Sequence, residues 1–401
     1  MKVRASARCQ DSGGRNWLRT KVGTEASDRH FILSVPEEFS HHICEEGMAH
    51  GAHIFAALCD AVSGLPFHLS PQSGIAEAQK LLSAWFGFAD RPRPPIRKTI
   101  PAGLYLPQTP TPSHNAAGLL FSGGVDATFT LTWLKEQQAG RLLALSIIHS
   151  EDGLPEPHQL ALYESYRRAL AAQDVDLIFV ATNIMTCNDR VHDLWAFATH
   201  GGCMAAVAHS LSKQVDRWFI SSSHDLTALI PWGSHPLLDP QYSSDRVSCT
   251  HFGAEFTRFE KILGIVHGPV GSGTLAVCGD GVQGGAWINC SRCQKCLRTM
   301  MALDLAGARE QSISFDWSGY SLAAVRSLRL RGRNEVIFVQ ELIRAAVALG
   351  RNELHAALDH VLRKSWLHRR LYRIEVYLRM KLRSAQRFKA PLKRLKRLIY
   401  R

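Results

Sequence analysis

A chain of 401 residues with 46% hydrophobic and 20% charged composition can bury a large core, which excludes an intrinsically disordered protein. The formal charge of +12 resembles a nucleic-acid signature only until it is located: residues 361–401 hold 15 Lys/Arg against the single acid Glu375, leaving 32 basic and 34 acidic side chains in the first 360 residues. The excess is a tail property, and the body of the chain is nearly neutral.

The N-terminus begins Met1-Lys2-Val3-Arg4 without an apolar signal region, and no stretch of 18 uncharged apolar residues follows, so a soluble, cytoplasmic protein is expected. In that compartment ten cysteines read as thiols rather than as a disulfide framework. Residues 1–29, polar and rich in Gly and Ser, are expected to be an unstructured lead. Residues 30–105 read as a small N-terminal α+β subdomain, with a strand at His30 to Val35 and helices at Ala49 to Val62 and Ile75 to Phe86. The runs Arg91-Pro92-Arg93-Pro94-Pro95 and Pro107 to Ser113 read as linker.

From Ala117 short apolar runs alternate with helical segments. Strands are expected at Gly118 to Phe121, Leu142 to Ile148, Asp176 to Ala181 and Trp218 to Ser222, with helices at Ala127 to Gln138, His158 to Ala172 and Cys203 to Lys213. Such alternation predicts an α/β fold, a parallel sheet with helices on both faces, which binds ligands at the carboxyl ends of its strands. This domain spans residues 115–310, and residues 311–401 form a helical extension ending in the basic tail. In the tail Leu367, Leu371, Ile374 and Leu378 recur at helical spacing among arginines before Pro391 and Lys393-Arg394-Leu395-Lys396-Arg397. That pattern suits either an anionic partner (RNA, a membrane surface or an acidic protein) or a helix docked by its apolar stripe. A homodimer is a further expected assembly.

The first parallel strand ends in Phe121-Ser122-Gly123-Gly124-Val125-Asp126 and leads directly into a helix. Two glycines let the backbone approach a phosphate, and the N–H groups of the new helix point at it. Ser122 adds a hydroxyl, while Asp126 is expected either to bind Mg²⁺ or to orient the loop; a plain Gly-Gly turn with a helix-start aspartate is the alternative. Farther on, Cys278, Cys290, Cys293 and Cys296, spaced C-x₁₁-C-x₂-C-x₂-C, form a complete thiolate set for one metal, with zinc preferred over an iron–sulfur cluster.

Ser-Gly-Gly-Val-Asp between an apolar strand and a helix resembles the PP-loop ATP pyrophosphatases. The resemblance implies a Rossmann-like (HUP-type) domain that cleaves ATP between the α and β phosphates and transfers AMP to a carboxylate or carbonyl oxygen, which a nitrogen nucleophile then displaces. The four downstream cysteines make the chain similar to the 7-cyano-7-deazaguanine synthase branch, over roughly residues 117–305. Where the family generally has a hydroxyl, this chain has Ala127, and Thr128 is the neighbouring substitute.

The expected nucleotide contacts are Ser122, Gly123, Gly124, Val125, Asp126 and Thr128, with Ile148 at the end of the second parallel strand. The expected cofactors are ATP, Mg²⁺ and Zn²⁺. Asp126, Arg258 and Lys261 are the candidate catalytic residues, the two cations balancing charge in the transition state or else pairing with Glu255 and Glu260 on a surface helix. His200, Gly201, His235, Asp239 and His251 are candidate substrate contacts in loops after the strands. A tRNA-thiolating enzyme and a nucleotide-binding protein without turnover are the alternative functions.

Overall fold

A computed structural model describes residues 6–23, 29–63, 74–86, 116–137, 140–278, 282–283, 286–287, 289–330 and 332–366. In chain order, the N-terminal part gives β1 (Ala7–Gln10), β2 (Asn16–Gly23), β3 (His30–Pro36), α1 (Glu45–Ser63) and α2 (Gly74–Phe86). The alternating part gives β4 (Ala116–Leu120), α3 (Val125–Glu136), β5 (Arg141–His149), α4 (Pro157–Ala171) and β6 (Asp176–Thr182). It continues with α5 (Asp189–Asp193), α6 (His200–Ser210), β7 (Arg217–Ser221), β8 (Ser248–Phe252) and α7 (Arg258–His267). After a short ribbon come α8 (Gln294–Leu305), α9 (Leu322–Ser327) and α10 (Arg333–Ala348), and a last helical stretch covers residues 352–366.

Eight strands form one sheet in the order β1-β2-β3-β6-β5-β4-β7-β8. The five from β6 to β8 are mutually parallel, and β1 to β3 join antiparallel at one side. This is the expected α/β, Rossmann-like architecture. Apolar residues cover both faces. Leu143 and Leu145 of β5 meet α1 and α6 on one face, and Leu142 and Ala144 meet Leu131 of α3 and Leu162 of α4 on the other. Successive strand residues point to opposite faces, so a strand buried on both sides reads as an unbroken apolar run.

Two expectations about the N-terminus are corrected. Residues 7–23 are not an unstructured lead but the hairpin of β1 and β2. Asp11 closes its turn by accepting from the backbone N–H groups of Gly13 and Arg15 at 2.9 and 3.0 Å and from Trp17 Nε1 at 2.8 Å. Trp17, Thr20 and Val22 are then buried, and the Trp17 ring lies 6.2 Å from Phe179 of β6. Nor do residues 30–63 and 74–86 make a separate subdomain. β3 pairs with β6 at Leu33↔Thr182 and Ser34↔Ala181, and α1 lies against α6 inside the same core. Helix contact is unusually close there, because a side chain at Gly47 or Gly51 would collide with the carbonyl oxygens of His209 or Ala206.

The C-terminal extension packs on a second cluster in which Met300 and Met301 of α8 meet Ile262 and Ile265 of α7 and Val339 and Leu342 of α10. The proline runs at 91–95 and 107–113, and the tail residues from Leu367 onward, lie outside the described residues. Among the described residues no helix is long and apolar enough to cross a membrane.

Candidate active site and metal centre

β4 is the central parallel strand, with β5 and β6 wound to one side of it and β7 and β8 to the other. Its carboxyl end is therefore a topological switch point, where the connections diverge and leave a crevice. Ser122 to Gly124 turn the chain there into α3. Gly123 has φ +71°, a left-handed conformation, and a Cβ on it would lie 2.6 Å from the Tyr166 hydroxyl oxygen, so two separate constraints require glycine. Its carbonyl accepts from Ala276 N–H at 2.8 Å, and the Tyr166 hydroxyl donates to the Thr274 carbonyl at 2.8 Å, so the segment before Cys278 braces the loop. Gly124 caps α3 without a side-chain hydrogen bond, which leaves the first-turn N–H groups available to an anion.

Asp126 stands in the first turn of α3. Arg258 Nη2 reaches its Oδ2 at 2.7 Å and Lys261 Nζ its Oδ1 at 3.2 Å. Lys261 is 2% exposed and also donates to the Ser222 carbonyl at 2.5 Å, at the end of β7. Burial raises the Asp126 carboxyl, but Arg258 and Lys261 outweigh it and hold the group below the usual carboxylate range. For Lys261 the balance goes the other way: burial lowers the ammonium by more than Asp126 restores. Both directions follow from one arrangement, in which a single carboxylate meets two cations and the more buried cation bears the desolvation cost.

Arg258 and Lys261 thus come to the loop from α7, over 132 and 135 residues of sequence, instead of pairing with Glu255 and Glu260. Glu260 is used locally, closing a capping box with Thr257 at the start of α7.

The other nucleotide candidates divide. Thr128 is buried and its hydroxyl donates to the Gly123 carbonyl at 3.4 Å, inside the loop. Ala127 is buried between α3 and the sheet, and Ile148 lies in the core beneath α1 and α6.

A second polar cluster lies between β7 and β8. Asp239, fully buried, accepts from Ser234 Oγ at 2.6 Å and lies 2.7 Å from His251 Nδ1, while its other oxygen accepts from His235 N–H at 3.3 Å. The carboxylate calls for an N–H at Nδ1, and Nε2 is buried without a hydrogen-bond partner. Leu237 N–H donates to His235 Nδ1 at 3.1 Å, and burial lowers His235 to about 4. Gly201 N–H donates to the Gly233 carbonyl at 3.0 Å, so Gly201 belongs to this cluster as well. His200 Nδ1 lies 3.0 Å from the Trp195 carbonyl, and its ring is 6.0 Å from Trp232.

Sequence reasoning missed four residues here. His224, after β7, is buried with neither ring nitrogen bonded, is lowered to about 4 by burial, and stands 5.9 Å from Trp232 and 5.8 Å, parallel, from Phe338. The strand-end rule applied to Ser222-Ser223-His224-Asp225 would have found it. Arg298, two residues beyond Cys296, lies 5.1 Å from the centre of the Phe338 ring, beside Arg258 at 4.4 Å. Burial lowers it to about 10. Phe338 and Glu341 come from α10, and Glu341 accepts from Arg258 N–H at 3.0 Å. No motif announces either.

Cys278, Cys290, Cys293 and Cys296 converge as expected, their sulfurs all within 4.8 Å of one another. The Cys290–Cys296 and Cys293–Cys296 separations are 3.7 and 3.5 Å. A tetrahedron with metal–sulfur bonds of about 2.3 Å has edges of about 3.8 Å, so the set has the size of a zinc site. Backbone N–H groups of Cys290 and Cys293 point at the sulfurs of Cys278 and Cys290 at 3.3 and 3.4 Å, favouring thiolates.

The chain matches no family model, no curated protein and no solved structure.

Proposed function

We propose that the protein is an ATP-dependent adenylating enzyme of the PP-loop pyrophosphatase type, with its HUP-like strand order centred on β4. The observation that carries this reading is the glycine turn at Ser122 to Asp126, which opens α3 at the switch point and is faced by Arg258 and Lys261. In this reading the loop N–H groups hold the ATP phosphates, and a substrate carboxylate or carbonyl oxygen attacks the α-phosphorus. Pyrophosphate leaves as the bond to the β-phosphate oxygen breaks. Arg258 and Lys261 balance the charge that develops on the phosphates, and a nitrogen nucleophile then displaces AMP from the activated carbon.

Asp126 serves here as the group that fixes both cations, because each of its oxygens is already ion-paired. Mg²⁺ brought with the nucleotide would supply further charge neutralisation on the phosphates. The four-cysteine set suits Zn²⁺, which would staple α8 and the segment before Cys278 to the loop. Elemental analysis should find one zinc per chain and no iron; iron with inorganic sulfide would point to the thiolating alternative.

The decisive assay is release of pyrophosphate from ATP across a panel of small carboxylates, abolished in Asp126→Asn. Release of orthophosphate alone sinks cleavage between the α and β phosphates. One observation favours a second reading, nucleotide binding without turnover. Ala127 offers no hydroxyl and the hydroxyl of Thr128 is spent on Gly123, so the loop has one donor fewer than the family pattern. ATP binding with no pyrophosphate from any substrate would support it.

A further inference from the structure

The ATP reading gives Arg258 a task but leaves its neighbour Arg298 without one. Arg258, at the start of α7, and Arg298, in the first turns of α8, both lie over the Phe338 ring, at 4.4 and 5.1 Å from its centre. Two like charges gathered around one aromatic ring repel each other, and cation–π attraction to the ring offsets only part of that. Arg258 is committed on one side, its Nη2 to Asp126. Arg298 is anchored only through Nε, which donates to the Gln294 carbonyl at 3.2 Å. Arg258 Nε and Arg298 Nη1 are both buried with no hydrogen-bond partner. Buried donors without acceptors are destabilising, and a native structure normally supplies an acceptor.

Val125, Arg258, Arg298, Phe338 and Glu341 are among the residues that line a small, mainly apolar cleft of about 20 Å³. Val125 is the first residue of α3, so one wall of the cleft adjoins the glycine turn in sequence. Glu341 Oε2 accepts from the Arg258 backbone N–H, Glu335 acts on Arg298 electrostatically, and among the described residues no salt bridge joins Glu341 to either guanidinium. The N-cap of α8 is Cys293, one of the four clustered cysteines, whose Sγ accepts from Cys296 N–H at 3.5 Å. The cysteine set therefore fixes the helix that delivers Arg298.

We propose that Arg298 is a binding residue for the terminal phosphates of the nucleotide, taking the β- and γ-phosphate oxygens together with Arg258 beyond the Ser122–Asp126 turn. The assignment rests on the ATP reading for the identity of its anion, and a guanidinium is suited to it because its planar fork matches phosphate oxygens. It gives α8 a task besides holding metal, and α10 the task of carrying the platform, Phe338.

The test is calorimetric titration of the full chain, metal retained, with ATP, AMP and inorganic pyrophosphate. Arg298→Ala should weaken ATP and pyrophosphate at least tenfold while changing AMP less than twofold, and Arg298→Lys should recover part of the loss. Equal weakening of ATP and AMP, or unchanged ATP affinity, overturns the proposal. If thermal unfolding shows that Arg298→Ala does not fold, Arg298→Gln, which keeps the stem, provides the same comparison. A wild-type protein that binds pyrophosphate through Arg298 but not ATP leaves the anion site standing and removes the ATP reading; one that binds neither removes both.

Discussion

Asp126 and Asp239 are both carboxylates at the carboxyl edge of the same sheet, yet the chain stabilises them in opposite ways. Asp126 is met by two permanent cations, Arg258 and Lys261, and keeps 18% of its side chain exposed. Asp239 is sealed from solvent and met by a serine hydroxyl, a backbone N–H and an imidazole. The first arrangement concentrates charge where an anion can arrive. The second orients an imidazole and leaves its other nitrogen, His251 Nε2, buried without a hydrogen-bond partner. A single edge thus offers a cationic compartment beside one lined with buried imidazoles.

Deleting the carboxylate on the cationic side should have the largest effect. Asp126→Ala leaves the buried Lys261 with only the Ser222 carbonyl, and losing one partner of such a pair costs about 3–5 kcal/mol. Urea denaturation should show this, and Lys261→Met added to Asp126→Ala should restore part of the stability. No restoration would mean that the pair is not what binds α7 to the loop.

A smaller loss is expected on the other side. Asp239→Asn keeps one acceptor, and Ser234 and His251 can exchange donor and acceptor roles, which limits the cost to about 1–3 kcal/mol. Nitrogen chemical shifts of His251 should report the change of tautomer. A destabilisation equal to that of Asp126→Ala would erase the distinction between the two compartments.

Acid should separate them more finely. Burial lowers His235 to about 4 and His209, beside the Asp239 loop, to about 3, against an ordinary value of about 6.5. Below that ordinary value the unfolded chain takes up protons that these folded imidazoles refuse, so stability falls with acid, by up to ~1.4 kcal/mol per pH unit per group. Asp126 has a lowered folded value, so its contribution persists through that window and is lost only as pH drops below the usual carboxylate range. Unfolding free energy should therefore decline between pH 6.5 and 4.5 equally in wild type and Asp126→Asn. A flat profile there contradicts the buried neutral histidines.

The parallel strands could be read from sequence because each is an apolar run whose ends coincide with a change of composition. β5, expected at 142–148, spans 141–149. β8 could not: Ser-Cys-Thr-His-Phe has no such run and is a strand only because β7 offers it five paired positions. The β1–β2 hairpin was not legible: only Thr20 and Val22 keep the strand period, Trp17 lies three residues before Thr20, and the composition is polar. In the site, local chemistry was legible and distant partnership was not. The glycine turn and the cysteine spacing declare themselves within a few residues. Nothing near Asp126 indicates that its cations arrive from α7, or that an aromatic ring from α10 supports one of them.

The junction of β3 with β6 involves two residue pairs, whereas α1 and α6 lie at backbone distance along Gly47 and Gly51. Mechanically, the N-terminal strands hang from the helix pair more than from the sheet. A pull on the N-terminus would load α1 and pass through it to α6, whose first residues carry Gly201 into the Asp239 cluster. For the same reason residues 115–310 should not survive excision: cutting away the first strands and helices would strip α6 of the surface it is shaped to fit.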